Sequence, residues 1–360
     1  MRPLVTPGIE ALSPYEAGKP LEELARELGI GDAIKLASNE NPIGPSPLAL
    51  EAARRAIGEV NRYPDASAYR LRERLSALHG VPMEELIHGN GSNELIELAI
   101  RTFTTPADHI VFGEPAFVMY RLAALAHGVR FSAVPLQNLT HDLEAMAAAV
   151  EAETRLLIIA NPNNPTGTHV TRAALEKLLR SLPEEVIVLM DEAYFEYADA
   201  ADYPDSLELR GLHERLLTLR TFSKIYGLAA MRVGYAVGPA RLLDYMNRVR
   251  APFNVGSLGQ VAALAALDDR AHVEQSQRNN REQRVRLVAG LERLGLKPAP
   301  SQANFVYVEC GRPARPIYEA LLHKGVIVRP FGNLPSGLRI TVGTAPENDR
   351  LLTALAEVLG

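Results

Sequence analysis

Between residues 109 and 219, short apolar runs return at intervals too long for hairpins. They are His109–Phe112, Val129–Val134, Leu156–Ala160, Val186–Met190 and Leu216–Leu219. Apart from Val129–Val134, where Arg130 and Ser132 intervene, these runs do not alternate with polar residues, and each is read as a buried strand. Helical stretches lie between several of them, at 115–127 and 171–181, with Thr171 placed to cap the second. Strands that alternate with helices predict an α/β fold: a large, mostly parallel sheet in an α/β/α sandwich. Long helices are expected at 257–267 and 274–294. Beyond them, strands near 303–309, 326–329 and 337–342 and helices at 314–324 and 346–358 predict a smaller α+β domain. The expected division is an N-terminal arm over 1–45 that joins the small domain, a large domain over 46–270, and a small domain over 271–360.

Composition excludes several classes of function. Of 360 residues, 22% are charged, the net charge is −5 and no basic cluster stands out, so nucleic acid is not an expected partner. No apolar stretch reaches membrane-spanning length, and residues 1–20 lack the apolar segment of a secretion signal. Cys310 is the single cysteine, which fits a reducing cytosol, and the nine histidines show no metal-binding spacing. A cytoplasmic protein without a metal is expected.

The ends of the expected strands carry polar groups that core strands do not need. After Leu156–Ala160 comes Asn161-Pro162-Asn163-Asn164-Pro165-Thr166-Gly167, a stiff turn that exposes amides. After Val186–Met190 comes Asp191-Glu192-Ala193-Tyr194, a carboxylate that needs a buried partner. After Leu216–Leu219 comes Thr221-Phe222-Ser223-Lys224, followed by Arg232. Open α/β sheets bind ligands at this carboxyl edge. Further upstream, Gly89-Asn90-Gly91-Ser92-Asn93 turns into a helix capped by Ser92 or Asn93, and a helix N-terminus of this kind suits a phosphate. Ser46 and Pro47 likewise start a helix that runs to about residue 57, and a surface helix is expected over 67–79.

Taken together, these segments resemble the signature of fold-type I pyridoxal-phosphate enzymes, the aspartate aminotransferase superfamily, from about Leu36 to Val342. The resemblance implies that Lys224 forms an imine with the cofactor and later shuttles a proton. It implies that Asp191 pairs with the pyridine nitrogen, while Asn164 and Tyr194 bond the ring oxygen. The cofactor phosphate is expected on Gly91, Ser92 and Asn93, with Thr221, Ser223 and Arg232, and Phe117 is expected to stack on the ring.

Within that superfamily the chain is most similar to the histidinol-phosphate aminotransferase family. The likeness is carried by Ser38-Asn39-Glu40-Asn41-Pro42-Ile43-Gly44-Pro45-Ser46, Asn61-Arg62-Tyr63-Pro64-Asp65, Asn163–Gly167 and Gly337-Leu338-Arg339-Ile340-Thr341-Val342-Gly343. It implies a homodimer with shared active sites, in which Tyr63 reaches the neighbour's cofactor phosphate. It also implies transfer of the amino group between L-histidinol phosphate and 2-oxoglutarate in histidine biosynthesis, with Arg339, Arg329, Tyr15 and Asn41 on the substrate. Aromatic amino-acid aminotransferases and a decarboxylase of threonine phosphate share these motifs and remain alternatives. A regulatory domain without turnover is a further one, although the arm is too short for the DNA-binding module such regulators carry.

Overall fold

The computed structural model describes residues 4–14 and 18–360. Its centre is a seven-stranded sheet in the order Leu86–Gly89, Gly234–Val237, Leu216–Thr221, Ile187–Asp191, Thr154–Ala160, His109–Glu114, Arg130–Pro135. Gly234–Val237 alone runs against its neighbours; the rest share one direction. One face packs Leu95, Ile96, Ile100 and Tyr120 against Ile110, Ile158 and Leu189. The other packs Leu175, Leu178 and Leu179 against Val111, Leu157 and Val188. All five apolar runs are strands. Leu86–Gly89 and Gly234–Val237 are additional, because four residues interrupted by glycine carry little periodic signal.

Register determines what meets at the sheet's carboxyl edge. Ala160 pairs with Asp191, and Asp191 with Leu219. Thr221 pairs with Gly234, which in turn pairs with Gly89. The turn after residue 160, the carboxylate at 191, the segment 221–224 and the glycine turn at 89–91 are therefore adjacent.

A second sheet of four antiparallel strands has the order Arg329–Phe331, Leu334–Thr341, Phe305–Glu309, Lys297–Pro298. Its core joins Val306, Val308, Leu338 and Ile340 to Leu287 and Leu291 of the helix Arg270–Arg293 and to Leu351. Ile34–Lys35 pairs in parallel with Val326–Ile327, which attaches the N-terminal segment to this part of the molecule. The expected strand 326–329 is thus divided between two sheets.

Several helix limits differ from expectation for local reasons. The helix after the glycine turn begins at Gly91, with Asn90 before it and no side-chain cap, so Ser92 and Asn93 stand inside its first turn. The helix expected over 115–127 begins at Met119, because Pro115 and the residues after it form a loop. Ser46 and Thr171 do cap their helices, accepting from Ala49 N and Ala174 N.

Candidate functional site

A cavity of about 200 Å³ opens at the carboxyl edge of the large sheet. It is lined by Gly91, Ser92, Asn93, Phe117, Asn164, Asp191, Tyr194, Thr221, Ser223, Lys224, Arg232, Arg329 and Arg339, all singled out from sequence. Tyr15 lies outside the described residues. Tyr63 is not on the wall: it is 83% exposed and stacks on Phe253 with ring centroids 4.7 Å apart. Asn41 is also off the wall. Its amide nitrogen donates to Ile225 O and Ser276 Oγ, each at 2.8 Å, and so ties the 38–46 turn to the chain just after Lys224. Gly227 makes that docking close: it has φ +67°, and a Cβ there would stand 2.1 Å from Gly44 O.

At one end of the cavity is a carboxylate with an unfilled oxygen. Asp191 is 6% exposed; its Oδ2 accepts from Tyr120 Oη at 2.7 Å, while its buried Oδ1 has no hydrogen-bond partner. Burial pushes the Asp191 pKa up, opposed by the Tyr120 bond, by the nearby Ala193 amide, which lies outside hydrogen-bonding geometry, and by the Lys224 charge. A buried carboxylate oxygen left open beside a cavity is costly unless a donor arrives. Tyr120 was not recognised from sequence. The available signal was a tyrosine in a helix of alanine and leucine, where a buried hydroxyl needs an acceptor.

At the other end is an anion cradle. The first-turn amides of the helix Gly91–Phe103 have no acceptor within the helix. Gly91 has φ +77°, and a Cβ there would meet Arg232 Nη2 at 2.6 Å, so glycine admits both the turn and the guanidinium. Arg232 donates to Ser223 Oγ at 3.4 Å and to Ala229 O at 3.0 Å, and Thr221 Oγ1 donates to Ser223 Oγ at 3.0 Å. Amides, hydroxyls and a guanidinium converge as a phosphate site requires.

Between the ends stand the amine and its neighbours. Lys224 Nζ is 3.4 Å from Ser38 O and 5.6 Å from the centre of the Tyr194 ring. Burial first, then Arg339 and Arg232, pushes its pKa down to about 8, with Glu40 and Asp191 pulling the other way. Tyr194 Oη accepts from Asn39 Nδ2 at 2.9 Å and from Asn164 Nδ2 at 3.3 Å. Asn164 Oδ1 accepts from Arg339 Nη1 at 2.6 Å. Arg339 faces Arg329 directly across two antiparallel strands. Like charges placed opposite each other repel, and an anion between them offsets that. A second cavity of about 580 Å³ shares Phe117, Asn164, Arg329 and Arg339 with the first.

The aromatic phosphate ester pyridoxal 5′-phosphate fits this arrangement: a donor-seeking carboxylate at one end, an anion cradle at the other, an amine between them and Phe117 on the wall. Among the described residues, no group of histidine, cysteine and acidic side chains is placed to hold a metal, and no helix is long and apolar enough to cross a membrane.

Comparison with known proteins bears on the same site. The family profile for aminotransferase class I and II matches residues 31–355. A histidinol-phosphate aminotransferase of Pseudomonas aeruginosa is 48% identical over 360 residues, covering 99% of this chain and 98% of that one. Another, from an Anaeromyxobacter species, is 48% identical over 362 residues, covering 99% and 100%. Among solved structures, the histidinol-phosphate aminotransferase of Sinorhizobium meliloti in complex with pyridoxal 5′-phosphate superimposes with a TM-score of 0.91. It is 30% identical and covers 100% of this chain and 98% of that one.

Proposed function

The chain belongs to the class I and II aminotransferase family, and we propose that it moves an amino group between L-histidinol phosphate and 2-oxoglutarate, a step of histidine biosynthesis. The observation that carries the chemistry is Asp191, whose buried Oδ1 lacks a donor in a cavity that also holds a lysine and an anion cradle. The substrate is carried by the 48% identity to histidinol-phosphate aminotransferases.

Bound pyridoxal phosphate supplies an aldehyde for the substrate amine and a protonated ring that withdraws electrons from the substrate α-carbon. Asp191 would hold the proton on the ring nitrogen, and Tyr120 orients Asp191 through its hydrogen bond to Oδ2. Gly91, Ser92, Asn93, Thr221, Ser223 and Arg232 grip the phosphate. Asn164 and Tyr194 would donate to the ring oxygen of the bound cofactor, and Phe117, on the cavity wall, would pack against its ring. Lys224 takes the proton from the substrate α-carbon and returns it on the other side of the transfer, which its depressed pKa favours. Arg339 and Arg329 receive the carboxylate of glutamate in one half-reaction and the phosphate ester of histidinol phosphate in the other. The larger adjoining cavity takes the rest of the substrate, and Asn41 fastens the 38–46 turn to the chain after Lys224.

The functional unit in this reading is a cytosolic homodimer, in which Tyr63 of each copy reaches the other's phosphate cradle. Residues 46–270 carry the cofactor, and 271–360 with the N-terminal arm form the smaller domain. Tyr63 and Phe253 are both exposed and stack on each other, and Leu48, Ile57, Val60 and Tyr69, close to Tyr63 in sequence, are exposed as well, which supports an interface there.

The test is a set of half-reactions. The cofactor-loaded protein is mixed separately with histidinol phosphate, phenylalanine and threonine phosphate, and loss of its visible absorbance is followed. Histidinol phosphate is expected to react fastest; preference for phenylalanine, or release of carbon dioxide from threonine phosphate, overturns the substrate assignment.

A further inference from the structure

Behind the glycine turn, one carboxylate ties together segments far apart in the chain. Glu94 lies in the first turn of the helix Gly91–Phe103, and its Oε2 accepts from Asn90 N and from Asn254 Nδ2, both at 2.6 Å. Asn254 returns a bond to the turn: its carbonyl oxygen accepts from Asn90 Nδ2 at 3.1 Å. Asn254 Oδ1 accepts from Arg250 Nη1 at 2.5 Å, and Arg250 Nη2 donates to Ala66 O at 3.0 Å. Gln260 Nε2 adds a second tie, donating to Asp65 O and Val255 O at 2.9 Å each. The segment 61–68 and the loop 250–256 are therefore both fastened to the start of that helix. These two segments carry the exposed aromatic pair, Tyr63 and Phe253, the latter with φ +55°.

The choice of a carboxylate here is notable physically, because a negative charge close to a phosphate cradle repels the phosphate. What it provides in return is one oxygen that takes two amide donors at once. The Asn90 amide is thereby held away from the cavity, and the Asn90 carbonyl faces Arg232 Nη2 at 3.4 Å. The amides of Gly91, Ser92 and Asn93 are left as the cradle. The same oxygen fixes the loop that presents Phe253.

We propose that Glu94 and Asn254 are positioning residues that couple the exposed Tyr63/Phe253 face to the cofactor-phosphate cradle. A second copy of the chain docking on that face tightens the grip on the cofactor, and the bound cofactor tightens the docking by the same factor, since such coupling is reciprocal. This inference rests on the cofactor and homodimer of the preceding reading. Neither side chain touches the reacting atoms; both act through the backbone of residues 90–93.

The experiment uses the full-length protein stripped of cofactor. Pyridoxal phosphate is titrated back while visible absorbance is recorded, and dimer dissociation is followed by sedimentation with and without cofactor. Asn254→Ala and Glu94→Ala are expected to bind the cofactor about tenfold more weakly, as loss of a hydrogen bond to a charged group implies. Both are expected to dissociate into monomers at higher protein concentration. Glu94→Gln keeps an acceptor oxygen and removes the repulsive charge, so it is expected to bind the cofactor at least as tightly as the unaltered protein. Asn254→Ala binding and dimerising like the unaltered protein overturns the proposal, as does Glu94→Gln behaving like Glu94→Ala. Because Asn254 sits on an exposed loop outside the cavity, its variant keeps the test open where Glu94→Ala fails to fold. An unaltered protein that takes up no pyridoxal phosphate refutes the cofactor reading itself, whereas uptake by it and equal uptake by all variants refutes only the coupling.

Discussion

Asp191 and Glu192 are consecutive carboxylates at the end of one strand, and their surroundings are opposite. Alternation along the strand sends them to different sides of the sheet. Glu192 is fully buried and complete: Oε2 receives Arg220 Nε at 3.0 Å and Nη2 at 2.9 Å, and Oε1 receives Ser206 N at 3.1 Å. Arg220 also bonds Asp205 at 2.6 Å and lies 3.5 Å from the centre of the Phe195 ring. Asp191 has one oxygen filled and one open, with a cavity beside it. Two buried carboxylates alone would not separate structure from function. The difference is that the protein completes one with its own donors and sets the other, incomplete, on the wall of a cavity.

Three substitutions press on that contrast. Asp191→Asn has the largest expected effect, a fall in kcat of about 10³-fold, within the range for loss of a positioned proton-holding group. Its apoprotein is expected to melt no lower than the unaltered one, because a costly buried charge is gone. A clear drop in melting temperature would mean that Asp191 is as structural as Glu192. Arg220→Ala follows, with a stability loss of about 3–5 kcal/mol in denaturant unfolding, the cost of stranding a buried charge. A loss below about 1 kcal/mol, the worth of a surface pair, breaks the comparison from the other side. Tyr120→Phe is milder: about 1 kcal/mol of stability for one hydrogen bond, and a several-fold fall in kcat with KM nearly unchanged. An equal fall in an enzyme already carrying Asp191→Asn would show that Tyr120 does not act through Asp191.

Much of the contrast was legible in the sequence, and the illegible part has physical causes. Apolar runs located five of the seven strands: four are buried on both faces, which imposes composition directly, whereas Arg130–Pro135 is an edge strand with Arg130 exposed and only Val134 buried. The strand ends located Asp191, Asn164, Tyr194 and Lys224, because a polar cluster straight after a core strand must be turned toward something. Tyr120 carries little local signal, and Asn39 stands out only as part of the 38–46 motif, since each matters through one long-range bond, to Asp191 and to Tyr194, that no local pattern encodes. The pairing of Arg220 with Glu192 has no local signature either. Ser92 and Asn93 looked like caps, yet Gly91 lets the helix begin earlier and turns them into its first-turn residues.

The smallest expected effect concerns charge in the cavity rather than its walls. Lys224 is held to a pKa of about 8 by burial, with Arg339 and Arg232 adding to the depression while Glu40 and Asp191 oppose it. Only a neutral amine condenses with an aldehyde, so cofactor uptake by the apoprotein is expected to accelerate with rising pH and level off above about 8. Arg339→Ala removes a neighbouring cation and moves that midpoint up, while Asp191→Asn removes an anion and moves it down. Arg220→Ala, where it folds, leaves it in place, because Arg220 already spends its charge on Glu192 and Asp205. Stopped-flow uptake across pH reads all three. A midpoint that moves with Arg220 as much as with Arg339 would show that the two sides of the strand share one electrostatic environment, and the contrast between Asp191 and Glu192 would fail.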